Sequence, residues 1–194
     1  KFSYTVFGSH LQQEGWRDHS TMQNTNSQVK LNFQTSDRSD LMLVFREFYS
    51  PLSKDAGALT AAEVQANPRQ ASARNIQFNA GEEIRQEEMG ARFRIKPTAG
   101  KEISLAAHWS HRDFQSRQPF MDGGQVQFDR WVGGLALQFT SDGLLFQRPN
   151  RFLAGVDYGM QNDNRQRFNN NFGVRGIINL NQIERVQSVG PFFR

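Results

Sequence analysis

The chain has 194 residues, a net charge of +4, 37% hydrophobic residues and no cysteine, enough for one domain but less apolar than an average soluble protein. The lack of cysteine excludes disulfides, thiolate metal sites and a cysteine nucleophile. No apolar run approaches the roughly 20 residues of a membrane-spanning helix, and Lys and Arg are interspersed with Asp and Glu, which argues against a nucleic-acid footprint.

Residues 2–11 alternate Phe2, Tyr4 and Val6 against Ser3, Thr5 and Phe7 and read as a strand. Residues 12–27 carry no period and are rich in Asn, Gln and Thr, which predicts a loop. Val29, Leu31, Phe33 and Thr35 then oppose Gln28, Lys30, Asn32 and Gln34. A short turn at 36–39 leads to a return strand with Leu41, Leu43 and Phe45 on one parity, ending near Tyr49. The pattern lapses over 50–83, where Pro51, Gly57 and Pro68 act as breakers. Within it, Thr60 followed by Glu63 predicts a capped short helix over Ala61–Ala66.

Alternation resumes with Met89, Ala91, Phe93 and Ile95 facing away from Glu88, Gly90, Arg92 and Arg94. A tight turn at 97–101 joins them to Ile103, Leu105, Ala107 and Trp109, which oppose Ser104, Ala106, His108 and Ser110. Residues 112–126 read as a loop and 128–139 as a strand with Trp131, Leu135, Leu137 and Phe139 on one parity and Gly133 giving that face room. A short turn is predicted at 141–143, with 144–146 as an alternative extension of the hairpin before Pro149. In the next strand Phe152, Ala154, Val156, Tyr158 and Met160 oppose Leu153, Gly155, Asp157 and Gly159. It runs into an Asn- and Arg-rich stretch, 161–175, that predicts a loop, and 183–193 supplies a final strand.

Eight strands with one apolar face, joined alternately by long and short connections, are the organisation of an outer-membrane barrel; a soluble sandwich rarely sorts its connections by side. Trp16, Trp109, Trp131, Tyr49 and Tyr158 fall near strand ends, where an aromatic girdle would place them. The predicted class is therefore all-β, an antiparallel transmembrane β-barrel with long outer loops and short periplasmic turns. Both ends of the sequence lie inside alternating segments, and open sheet edges are not viable in hydrocarbon. The chain is accordingly expected to continue into, or assemble with, further polypeptide.

GALTAAEVQANP (57–68), the strand opening at 87–93, SHRDFQSRQPF (110–120), FDRWVGGLALQF (128–139) and FLAGVDYGMQNDNRQRFNNNFGVRG from Phe152, with QIERVQSVGPFF after it, carry a resemblance over nearly the whole chain. The sequence resembles the barrel of TonB-dependent outer-membrane receptors of the ferric-siderophore type. That resemblance implies a 22-stranded plugged barrel, of which residues 1–194 would form one partial domain of about eight strands, without the plug and its energy-coupling segment. It implies a bacterial cell outer membrane location and TonB-dependent uptake of an iron chelate, with neither catalysis nor a cofactor. The implied partners are a ferric siderophore or similar small ligand, outer-membrane lipid and lipopolysaccharide, the TonB complex through the plug, and the remaining barrel polypeptide.

Arg and aromatic side chains suit a bulky anionic chelate, since guanidinium groups pair with its oxygens and rings pack on it. The candidates by position are Trp16, Arg17 and His19 in the first outer loop, His111, Arg112 and Phe114 in the third, and Arg165 and Arg167 in the fourth; bonds within the loops or to lipopolysaccharide compete for each. Lys30, Gln34, Glu88, Arg92 and Arg94, on the lumen parity, are expected chiefly to contact the plug. Asp157, Asp163 and the nearby Asn residues lack the spacing and central Gly of a calcium loop. His108, Ser110 and His111 lie close together, but His111 takes the other parity and no nucleophile elbow occurs. The alternative function is a small eight-stranded barrel with a structural or adhesive role, which would require 2–11 to pair with 183–193.

Overall fold

The computed structural model describes all residues, Lys1–Arg194. Eight strands form one sheet: β1 (Phe2–Gln13), β2 (Met22–Ser36), β3 (Ser39–Lys54), β4 (Gly81–Ile95), β5 (Lys101–Arg117), β6 (Gln125–Leu145), β7 (Arg148–Asn171) and β8 (Val174–Phe193). Each strand pairs antiparallel with its neighbours in sequence, so the order in space is the order in the chain. β1 and β8 are the two edges and do not pair with each other.

The register aligns the apolar parity across the whole sheet. One row runs Phe2, Phe33, Leu41, Phe93, Leu105, Leu137, Val156 and Pro191, one residue from each strand. Because side chains alternate faces, a slip of one residue at any pairing would send that strand's apolar set to the other side. The opposite face carries the row Thr5, Lys30, Val44, Gly90, His108, Gly134, Gly159 and Ser188. Ser50, Ser116, Thr140 and Asp163, all nearly hidden from water, belong to this polar face. Leu135, Leu137, Leu105 and Met89 on the apolar face stand about half exposed. On β6 and β7 the apolar stretch runs from Trp131 to Phe139 and from Phe152 to Met160. At ~3.3 Å per residue this spans roughly 30 Å along a strand, the height of a ~25 Å hydrocarbon band once strands tilt.

Above this stretch the strands continue as polar ribbons. The connections at that end span residues 14–21, 55–80, 118–124 and 172–173, while those at the opposite end span 37–38, 96–100 and 146–147. Three expectations are corrected here. The Asn-rich stretch is not a loop: β7 extends to Asn171, turns at Phe172 and Gly173, and returns as β8 from Val174. Likewise residues 112–117 belong to β5 and only 118–124 form a connection. A polar strand paired on both sides satisfies its backbone without any apolar alternation, so periodicity cannot distinguish it from a loop. The turn predicted at 141–143 also moves, to Phe146 and Gln147: the hairpin extends past it as the alternative allowed, with β6 and β7 paired through Leu145 and Arg148.

The 55–80 connection folds on itself. Helix α1 (Ala61–Ala66) opens on the predicted capping box: Thr60 Oγ1 accepts from the Glu63 backbone N–H at 3.3 Å, and Glu63 Oε2 accepts from the Thr60 N–H at 2.7 Å. A second short helix, α2 (Ala73–Gln77), has no side-chain cap and left no sequence signal. Ala56, Ala71, Phe78 and Ala80, four of the five buried apolar residues, lie in this connection. The enclosed core therefore sits over the long-connection end of the sheet rather than between layers.

Candidate functional site

Alternation carries past the apolar stretch into the polar ribbons and sorts the candidates there by face. On β5, Arg112 and Phe114 point to the polar face, and on β7 so do Arg165 and Arg167. The register places Phe114 opposite Phe128 on β6, and Phe128 opposite Arg165 on β7. One step toward the apolar stretch, Gln86, Arg112, Arg130, Asp163 and Glu184 form the next row.

Within this patch the Phe114 and Phe128 rings stack at 4.8 Å with 22° between their planes, and the Arg130 guanidinium lies 4.8 Å from the Phe128 ring centre. Arg130 is held from its other side by Asp163, with Nε 2.9 Å from Oδ1 and Nη2 2.5 Å from Oδ2; Asp163 is 1% exposed. That bidentate pairing fixes Arg130 as a wall of the patch rather than a free cation. Arg112 donates through Nε to Gln86 Oε1 at 2.5 Å. Arg165 reaches Glu184 Oε1 with Nη1 at 3.5 Å, while its Nε is hidden from water and has no partner. Closed to water, that Nε is closed to a ligand oxygen as well; the side chain is 35% exposed, so the accessible part of Arg165 is the rest of its length. Phe128 and Arg130 are not among the sequence candidates, although the parity that places Leu135 and Leu137 on one face assigns 128 and 130 to the other; Asp163, weighed from sequence only against a calcium loop, is the partner of Arg130.

The remaining candidates go elsewhere. His111 lies on the apolar face, stacked at 4.2 Å on Trp131 and 6.4 Å from Trp109, with Nε2 3.0 Å from Asp129 Oδ2. Trp109, His111 and Trp131 together form an aromatic girdle at the upper edge of the apolar stretch. Arg17 donates to three carbonyls of the 55–80 connection: Gly57 at 2.6 Å, Gln70 at 3.0 Å and Ala56 at 3.1 Å. The His19 ring lies 2.9 Å from the Ala80 carbonyl, and the Trp16 carbonyl accepts from Arg69 Nε at 3.1 Å while its ring stays 61% exposed. These three residues staple one long connection to another and lie apart from the polar-face patch. Ser110 and His111 point to opposite faces, so no proton can pass directly between them.

At the outer end of β3, burial pushes the Lys54 ammonium below its ordinary pKa; nearby Arg117 adds to the effect and Glu83 opposes it. Lys54 Nζ donates to Asn79 Oδ1 at 2.5 Å, and Arg117 Nε donates to the Asn79 carbonyl at 3.3 Å. Both cations thus brace the turn before β4, beside the patch but not in it.

No family model matches the chain. Its fold is similar to the crystal structure of the ferric citrate transporter FecA in the unliganded form, with a TM-score of 0.72 and 14% sequence identity. The match covers 98% of this chain and 28% of that one. The chain therefore has the fold of a β-barrel segment, spanning little more than a quarter of the length of the transporter it matches.

Proposed function

We propose that this chain is part of an outer-membrane receptor barrel that takes up an iron chelate, with the apolar face toward lipid and the polar face toward the lumen. The observation that carries the reading is the polar-face patch of Arg112, Phe114, Phe128 and Arg165 at the long-connection end, where the part-exposed Arg165 side chain stands in register with the stacked rings. Such a surface offers charge-assisted hydrogen bonds and a flat apolar platform to an anionic chelate. Uptake would involve no covalent step. Energy would come from the TonB complex through a plug in the complete receptor, and lipopolysaccharide would contact the Trp109, His111 and Trp131 girdle.

The small self-closed barrel is the less well supported reading, because β1 and β8 stay unpaired. In hydrocarbon two open edges demand further strands. The test is titration of the complete receptor in detergent with ferric citrate, a ferric hydroxamate and a ferric catecholate, each beside its iron-free form. At least one ferric chelate is expected to bind tenfold or more tightly than the bare chelator; equal affinity throughout, or no binding, overturns the proposal.

A further inference from the structure

The β6–β7 hairpin runs past the apolar stretch at the short-turn end and ends on apolar side chains. β5 begins at Lys101, opposite Ser141, and Asp142 N still donates to the Gly100 carbonyl at 2.6 Å. Beyond that point β6 and β7 stay paired to Leu145 and Arg148. Leu144, Leu145 and Phe146 at the end of this ribbon are 73%, 53% and 91% exposed. Adjoining exposed apolar side chains of this size mark a contact surface rather than a solvated turn. Phe146 and Gln147 also hold positive φ, where Asn-Gly would fit without strain, and backbone strain persists where a side chain serves a contact.

The position and charge of the tip select its partner. Leu145 shares the parity of Phe139, so it continues the apolar face of β6. It lies four positions past Ser141, the partner of Phe152. That is about 13 Å along the strand, or about 10 Å in depth at a tilt of ~40°. A headgroup layer is roughly 5–8 Å thick, so the tip stands at its water edge. A side chain at Gly143 would meet nothing within 4 Å, which leaves the ribbon room to bend onto that layer. Arg148 and Arg151 flank the tip and are exposed, opposed by Asp142 alone, whose Oδ1 lies 3.6 Å from Arg151 Nε. Guanidinium groups pair with headgroup phosphates while Leu and Phe enter the acyl boundary.

We propose that the Leu144–Phe146 tip is a membrane foot, which seats the β6–β7 hairpin on the anionic phospholipid surface at the short-turn end. The foot rests on the reading of the apolar face as lipid-facing, and not on the identity of the transported ligand.

The experiment uses the complete receptor, otherwise free of cysteine, in nanodiscs of phosphatidylethanolamine and phosphatidylglycerol. One cysteine bearing an environment-sensitive fluorophore is placed by Phe146→Cys, by Asp37→Cys in the β2–β3 turn, or by Leu137→Cys on the apolar face. Quenching by lipid-borne nitroxides and by aqueous iodide then reads the surroundings of each. The Leu137 site should respond to mid-chain nitroxide and the Asp37 site to iodide. The Phe146 site should respond to headgroup nitroxide, with iodide at least threefold less effective than at Asp37. Adding Leu144→Ser/Leu145→Ser should raise iodide quenching there to the Asp37 level, with strand content by circular dichroism unchanged. Iodide quenching at Phe146 equal to that at Asp37 overturns the proposal, as does protection that survives Leu144→Ser/Leu145→Ser, which would belong to the fluorophore. Protection from both quenchers also overturns it and assigns the tip to a protein partner. A Leu137 site indifferent to lipid nitroxide would overturn the lipid-facing reading itself; a lipid-quenched Leu137 beside an iodide-quenched Phe146 overturns the foot alone.

Discussion

Asn170 donates through Nδ2 to the carbonyl oxygen of Phe78 at 3.0 Å, joining positions 92 apart in the chain. The same amide nitrogen donates to the Gln118 carbonyl at 2.9 Å, and Oδ1 accepts from Gly173 N at 2.8 Å and Gln125 Nε2 at 3.2 Å. All four hydrogen-bonding positions of a fully buried side chain are filled, and three separate connections meet on it. The long-connection end is therefore a folded cap organised around one asparagine.

Asn170→Asp keeps the shape of the side chain but removes both N–H donors, leaving the Phe78 and Gln118 carbonyls to face a carboxylate or to share the single O–H of a protonated acid. A loss of about 2–4 kcal/mol in the stability of the cap is expected. Hydrogen exchange should accelerate in 55–80 and 118–124 while the strand amides of β4 and β5 stay protected. Unchanged exchange in both connections would show that the cap does not depend on this residue.

Arg17 spreads its guanidinium over three carbonyls, which an ammonium cannot match in geometry. Arg17→Lys is expected to cost about 1–2 kcal/mol locally. The readout is limited proteolysis, with faster cleavage between Gly57 and Gln70 and no change in chelate affinity if the ligand patch lies on the polar face as proposed.

Asp163 locks Arg130, whose guanidinium lies 4.8 Å from the Phe128 ring centre. Asp163→Asn should weaken that lock and turn Arg130 toward the patch. Stability is expected to fall by roughly 2–3 kcal/mol, while affinity for an anionic ferric chelate rises several-fold. Arg165→Gln should act in the opposite sense on binding, lowering affinity about tenfold with little change in the unfolding midpoint. Titration and urea unfolding of both variants separate the two effects.

The Glu63 carboxylate lies below its usual pKa because the Thr60 backbone N–H, and then its hydroxyl, bond the ionised form. A depressed carboxylate pKa adds stability above the unfolded-state value, and that contribution is lost as pH falls through the folded-state value. Helix α1 should accordingly fray on acidification below the ordinary carboxylate range and hold at neutral pH. Glu63→Gln should make the exchange of α1 amides indifferent to pH over that window; an unaltered acid-induced fraying would place its cause outside the capping box.

Phe146 and Gln147 both adopt positive φ, 50° and 64°, at the tip of the β6–β7 hairpin, where Phe146 is 91% exposed. Two left-handed non-glycine residues in a two-residue turn are strained, and Asn-Gly is the pair that fits. Phe146→Asn with Gln147→Gly is expected to stabilise the chain by about 1–2 kcal/mol, read as a higher urea midpoint. A lower midpoint would mean that Phe146 makes contacts that outweigh the strain.

The sequence by itself determined what is local. Strict alternation separated Leu41, Leu43 and Phe45 from Asp40, Met42 and Arg46, and the Thr60 and Glu63 spacing located α1, because side-chain parity and helix capping are properties of a few consecutive residues. The register then needed only to bring like parities together, which gathering the apolar set on one face enforces. Tertiary structure alone decided where strands stop once both faces are polar. Asn162 and Asn164 look like loop residues, yet pairing with β6 and β8 gives β7 its backbone partners there, and Asn170 pairs with β8, a condition set by segments outside the local sequence pattern. It also decided the fate of the candidate side chains. Arg17 and Arg165 are the same residue type in equally polar surroundings, but one closes on three carbonyls of a distant connection and the other keeps an N–H unpartnered beside stacked rings. Composition carries no information about that difference, because it depends on which remote backbone atoms the fold brings within 3 Å of each guanidinium.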